Sequence, residues 1–197
     1  MKTLKITSIK ITIQILFFTL LLTSSCVQSD KKASSNTTTN TTNKVTKPNI
    51  DIHAAVLTGN LEAVKQHIEA GTDINKKEPM SGSTPLMSAA AFNKPEIAKV
   101  LINANADLSL KSNDGGTALH TAAFFGRIEI VQLLIDAKAD KTIRNNFGAT
   151  PRETVMGDFA QMEPIYKMLL QQLKPMGFTL DLNELEKARP VVAMMLH

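Results

Sequence analysis

Apolar residues recur three and four apart in four stretches, Leu61 to Glu69, Glu96 to Asn103, Glu129 to Asp136 and Glu163 to Leu173, the spacing of a helix with one buried face. A shorter apolar and alanine-rich segment precedes each of the first three. Ile52-His53 with Ala55 and Gly59, Leu86-Met87 with Ala89 and Asn93, and Leu119-His120 with Ala122 and Gly126 occupy equivalent places. The three long stretches then end in matched tails, Ala70-Gly71-Thr72-Asp73, Ala104-Asn105-Ala106-Asp107 and Ala137-Lys138-Ala139-Asp140. The pattern predicts helix, turn, helix, loop, repeated. Val100-Leu101-Ile102 and Leu133-Leu134-Ile135 present a wide apolar surface, as expected of helices covered on both sides. Gln66 and His67 hold those places in the first unit, which predicts a face turned to water and an N-terminal cap.

The period is regular. Thr84-Pro85-Leu86-Met87-Ser88-Ala89-Ala90 is echoed 33 residues later by Thr117-Ala118-Leu119-His120-Thr121-Ala122-Ala123, and Thr150-Pro151 follows after another 33. This period and motif resemble the ankyrin repeat, over about Ile50 to Leu173. The resemblance implies an all-α ankyrin-repeat solenoid of about four helix-turn-helix repeats. Their expected spans are 49–77, 78–111, 112–144 and 145–173. A C-terminal capping extension at 174–197 would close the stack. Repeat four is eroded: Pro151-Arg152-Glu153-Thr154-Val155-Met156 departs from the motif, and Phe159 stands where Gly126 does.

Local chemistry explains the recurring positions. Thr84 and Thr117 are suited to accept an amide hydrogen bond at a helix start, and Pro85 and Pro151 sit where a missing N–H costs nothing. Gly71 and Asn105 fall where helices commonly end in a left-handed residue, a conformation Lys138 tolerates less well. Beyond repeat four, Asp181 is a candidate helix cap, followed by Leu182, Leu185 and Ala188 at helical spacing, Pro190, and apolar Val191 to Leu196. That surface is expected to fold back over repeat four. The alternative is that Met194-Met195-Leu196, adaptable side chains, dock a partner.

The first residues read differently. Lys2, Lys5 and Lys10 precede a mostly apolar run from Ile11 to Leu22, the layout of a signal peptide over residues 1–25. The run falls short of the roughly 20 residues that span a bilayer. Leu22-Thr23-Ser24-Ser25-Cys26, leading into the chain's one cysteine, resembles a bacterial lipobox, although Thr23 stands where leucine is usual. The resemblance implies a diacylglyceryl group on Cys26 and a membrane-anchored lipoprotein of the cell envelope, facing the periplasm or exterior. An ordinary secretory signal with an incidental cysteine is the alternative. Residues 26–48 then form a tether rich in Asn, Thr and Lys, without apolar periodicity and expected to be disordered, with a reach of roughly 25 Å.

Charge changes meaning once the signal is set aside. The formal net charge of +4 becomes +1 without the three signal lysines, and the tether holds Lys31, Lys32, Lys44 and Lys47 against Asp30. The repeat region carries 12 basic against 14 acidic residues. Basicity therefore belongs to signal and tether, and nucleic acid is not an expected partner.

Candidate chemistry is sparse. There is no nucleophile elbow, His-Glu-x-x-His pair, phosphate loop or metal-spaced Cys/His cluster, so no catalytic residue, metal or cofactor is expected. Asn113-Asp114-Gly115-Gly116 lacks the further acids a calcium loop needs and reads as a turn. His53 and His120 hold the motif position at which, by the resemblance, an imidazole bonds neighbouring backbone. His67 is expected to be solvated, and His197 is terminal.

The resemblance implies a monomer that binds a protein partner through hairpin tips, here Lys76 to Gly82, Leu110 to Asp114 and Arg144 to Phe147, and through the concave first-helix face. Leu57, Met80, Phe92, Asn113, Phe124, Phe125 and Asn146 are the contact candidates, and the phenylalanines, favoured interface anchors, lead them. Phe124 and Phe125 are accordingly expected to be dispensable for folding. Three functions remain open: a membrane-anchored protein-interaction module, a dedicated inhibitor or immunity-type protein for one enzyme or toxin, and an enzyme, which would need a polar cleft the repeat layout does not supply.

Overall fold

The computed structural model describes residues 46–197, so the signal, Cys26 and most of the tether lie outside the described residues. Among the described residues there are eight α-helices and no strand. They are α1 (Ile52–Thr58), α2 (Leu61–Glu69), α3 (Pro85–Ala91), α4 (Pro95–Asn103), α5 (Ala118–Phe124), α6 (Ile128–Asp136), α7 (Phe159–Leu173) and α8 (Leu182–Met195). Short 3-10 turns occupy Glu153–Val155 and Lys174–Met176.

Two ladders of helices make the stack. The short helices α1, α3 and α5 pack in order, and the turn Glu153–Val155 forms the next rung against α5. The longer helices α2, α4 and α6 pack in parallel order, and α8 follows α6. Alanine explains the close approach: Ala55, Ala89, Ala90, Ala98, Ala122 and Ala123 are fully buried between the ladders. Val56, Val64, Leu86, Leu101, Leu119, Val131 and Leu134 fill the space beside them.

Several helices begin where their sequence provides a cap, whereas α6 starts after Arg127 without a side-chain cap. The Thr84 hydroxyl accepts from the Met87 N–H at 3.3 Å. In repeat four, Thr150 Oγ1 accepts from the Glu153 N–H while the Glu153 carboxylate accepts from the Thr150 N–H, a reciprocal cap retained although only a 3-10 turn follows. The tails turn through left-handed Gly71, Asn105 and Lys138, the lysine included.

Three expectations are corrected. His67 is not solvated; it is 0% exposed. Its Nε2 lies 2.8 Å from the Ile50 carbonyl and its Nδ1 3.0 Å from the Thr72 hydroxyl, so the ring pins the chain entering α1 onto α2. The second helix of repeat four is not Glu163 to Leu173. That segment lies within α7, and its place beside α6 is taken by α8, whose Val192, with Leu196 just past its end, joins the main core. Phe159 does not replace Gly126 in an interhelical turn, since it is the first residue of α7. Gly126 remains at φ 64°, facing Leu185 and Ala188 of α8. Fold-back of the C-terminal extension is thus observed, but it completes the ladder rather than lying over a finished repeat. Within it Leu196 is buried, Met195 half-buried and Met194 exposed.

Candidate protein-binding surface

The hairpin tips are stitched to one another. Asn113 donates its side-chain amide to the Met80 carbonyl and its backbone N–H to Ser81. One period later, Asn146 donates in the same way to Asn113 and Asp114. Lys77 Nζ reaches the Lys111 carbonyl at 2.6 Å, and Lys111 Nζ reaches that of Arg144 at 3.0 Å. Arg144 in turn pairs with Glu153 at 2.7 Å. The Thr150 N–H and Arg144 hold the Glu153 carboxyl below the usual range.

Asn113 and Asn146, contact candidates by sequence, therefore spend their amides inside the ridge. What the ridge offers outward is apolar: Met80 is 62% exposed and Phe147, which occupies the same place in its tip as Ser81 and Asp114, is 80% exposed. Sequence reasoning included Phe147 in a fingertip without singling it out.

The first-helix face is a different case. Phe92 and Phe125 are only 9% and 8% exposed, and Phe124 and Leu57 are half-buried against them. The expectation of an open aromatic stripe is corrected, because the chain's own C-terminal part covers it. The Phe178 ring lies 5.6 Å from that of Phe92 and 5.1 Å from that of Phe125, both edge-on. The Tyr166 ring of α7 lies 4.8 Å from Phe124, and its hydroxyl donates to the Phe124 carbonyl at 3.0 Å. Leu169, Leu170, Leu173 and Leu180 complete this second apolar cluster.

Two cations serve that junction, Arg127 half-buried and Arg189 buried, and neither was singled out from the sequence. Arg127 Nη2 donates to the Ala91 carbonyl at 3.1 Å and the Thr179 carbonyl at 2.8 Å, with its guanidinium over Phe125 and Phe178. Burial pushes its pKa down to about 10. Arg189 donates to the Tyr166 hydroxyl and to the Gly157 carbonyl. Burial raises the Tyr166 pKa.

The motif histidines tie their helices to the loop that follows the repeat's second helix, His120 reaching into repeat four and His53 staying within repeat one. His120 accepts at Nδ1 from the Thr117 N–H, 3.2 Å, and so donates from Nε2 to the Ala149 carbonyl, 3.0 Å. Its burial depresses its pKa, against the effect of that carbonyl. His53 Nε2 lies 2.9 Å from the Lys76 carbonyl. Pro85 and Pro151 are buried at their helix or turn starts.

A cleft of about 500 Å³ lies between the α5–α6 turn and α8, lined by Arg127, Glu129, Asp181, Glu184 and Lys187 among others. Charges of both signs share it without a constellation for nucleophilic or acid-base chemistry. Among the described residues no three His, Cys, Asp or Glu side chains are grouped to hold a metal, and no helix is long and apolar enough to cross a membrane.

Comparison with known proteins follows the same outline. The family model for ankyrin repeats (3 copies) matches residues 52–145. Human protein phosphatase 1 regulatory subunit 27 is 42% identical over 64 residues, 32% of this chain and 41% of that protein. Rat ankyrin repeat and SAM domain-containing protein 6 is 38% identical over 61 residues, 31% of this chain and 7% of that protein. The chain thus spans less than half of these relatives. The solved ankyrin repeat domain of Bcl-3, a member of the IkappaB protein family, superposes with a TM-score of 0.51 at 30% identity, covering 52% of this chain and 45% of that one. Residues 52–145 carry three ankyrin repeats, and the fold built on them is an ankyrin repeat domain.

Proposed function

We propose that this chain is a non-catalytic protein-interaction module that binds its partner through the ridge of hairpin tips and is carried on the cell envelope by a lipid on Cys26. The observation that carries the binding surface is the exposure of Met80 and Phe147 on tips already tied together by Asn113 and Asn146. A pre-ordered ridge loses little conformational freedom on binding, and exposed Met and Phe supply adaptable and rigid apolar contact.

Affinity capture from a membrane extract tests the surface. The body with Cys26→Ser should retain a partner that the same body with Met80→Ala and Phe147→Ala loses by at least tenfold, with unchanged circular dichroism. Equal recovery by both would place binding elsewhere. Palmitate labelling tests the anchor: the parent chain should incorporate label and Cys26→Ser should not.

A second reading, a dedicated inhibitor or regulator of one enzyme, is supported by a relative named as a phosphatase regulatory subunit. One enzyme recovered in fixed ratio with the bait would favour it over a general scaffold.

A further inference from the structure

We propose that the first-helix face is a groove for an amphipathic helix, kept closed by α7 as a built-in occupant that opens without unfolding the stack. The occupant's chemistry is written in α7. Phe159, Tyr166, Leu169, Leu170 and Leu173 recur at helical spacing and form one stripe. Tyr166 meets Phe124 at the α5 end, and the leucines pack against the cluster of Phe92, Phe125 and Phe178, the arrangement of a helix laid into an apolar groove. A partner helix bearing aromatic residues seven apart, followed by leucines, fits the same face.

Four features make α7 separable. Its cluster is distinct from the main core, which runs through the two ladders and α8. The ladder place beside α6 belongs to α8, so the stack stays covered when α7 leaves. Of the fifteen residues of α7 only Tyr166 is buried, and Pro164 inside the helix removes one backbone hydrogen bond. Gly157 and Gly177 flank the segment, each with open space around it. The anchors are correspondingly few: Phe178, Tyr166, and the backbone carbonyls of Gly157 and Thr179 held by arginines.

Hydrogen exchange on the full chain, with the variant Phe178→Ala, decides the matter independently of the fingertip ridge. In the parent, α7 amides should exchange at least tenfold faster than those of α4 and α6. Phe178→Ala should accelerate α7 further and leave α4 and α6 unchanged. A fluorescent peptide of residues 158–180 should then bind Phe178→Ala at least tenfold tighter than the parent, and tenfold weaker when the peptide carries Tyr166→Ala and Leu170→Ala. Exchange of α7 in step with α4 and α6 in the parent would overturn the proposal. So would loss of protection throughout the stack in Phe178→Ala, or peptide binding no tighter than to the parent. Loss of fingertip capture leaves these outcomes unaffected.

Discussion

At the scale of the residue, burial turns polar side chains into joints. His120 is held neutral between Thr117 and Ala149, and its depressed pKa has a defined consequence for stability. Below the unfolded value of 6.5 the unfolded chain takes up a proton that the folded ring resists. Stability is therefore full above that pH and falls as the pH drops toward the folded pKa. The urea midpoint should decrease between pH 7.5 and 5.5, and His120→Gln, whose amide still has a donor for Ala149, should flatten the decrease. A second loss belongs to lower pH. Glu153, held down by the Thr150 N–H and Arg144, contributes stability above about 4.5 that disappears as its carboxylate is protonated. Arg127 makes a different joint, one nitrogen serving a carbonyl of α3's end and another beyond α7. Arg127→Met should cost about 1–3 kcal/mol, because both carbonyls lose a charged donor, as read by chemical denaturation. Caps such as Thr84 were legible in the sequence because donor and acceptor lie three residues apart. The burial of His67 was not, since its partner is a backbone carbonyl 17 residues upstream.

At the scale of the element, the central fact is that two helices compete for one description. Both α7 and α8 read as amphipathic, and chain order alone favoured α7 as the second helix of repeat four. The winner is decided by surfaces distant in sequence. Gly126, without a Cβ, admits Leu185 and Ala188 of α8 closely, while Phe124 and Phe125 draw Tyr166 and Phe178 over the other face. Gly126→Ala would place a methyl within about 3 Å of both α8 side chains, on top of a left-handed backbone. Gly71→Ala carries only the backbone penalty, roughly 1–2 kcal/mol, because nothing lies near its Cβ position. Thermal melts of the two variants should show the larger loss for Gly126→Ala. Leu185→Ala, removing a buried side chain from the same junction, should cost about 2–5 kcal/mol. Spacing showed that the phenylalanines share a face; it carried no information on what covers them.

For the whole molecule, stability is a chain of neighbour-to-neighbour contacts, so the ends decide solubility. The described chain closes one end with α8, which packs on α6 as α4 does from the preceding rung. A chain ending at residue 180 should expose the side of α6 that α8 packs on and self-associate in sedimentation equilibrium, while the full body sediments as a monomer. The period was legible because it is written locally, 33 residues at a time, whereas the last unit was not, since the helix that packs on α6 is α8, from beyond α7. The ridge of tips has a further consequence. Lys77 and Lys111 both reach forward to the next tip, and Asn113 and Asn146 both reach back to the previous one, so the two junctions use the same fastening. A tandem copy of one 33-residue block spliced between them would meet matching partners above and below. The scaffold is extendable from its middle, like a telescoping rule, with the terminal pieces left untouched.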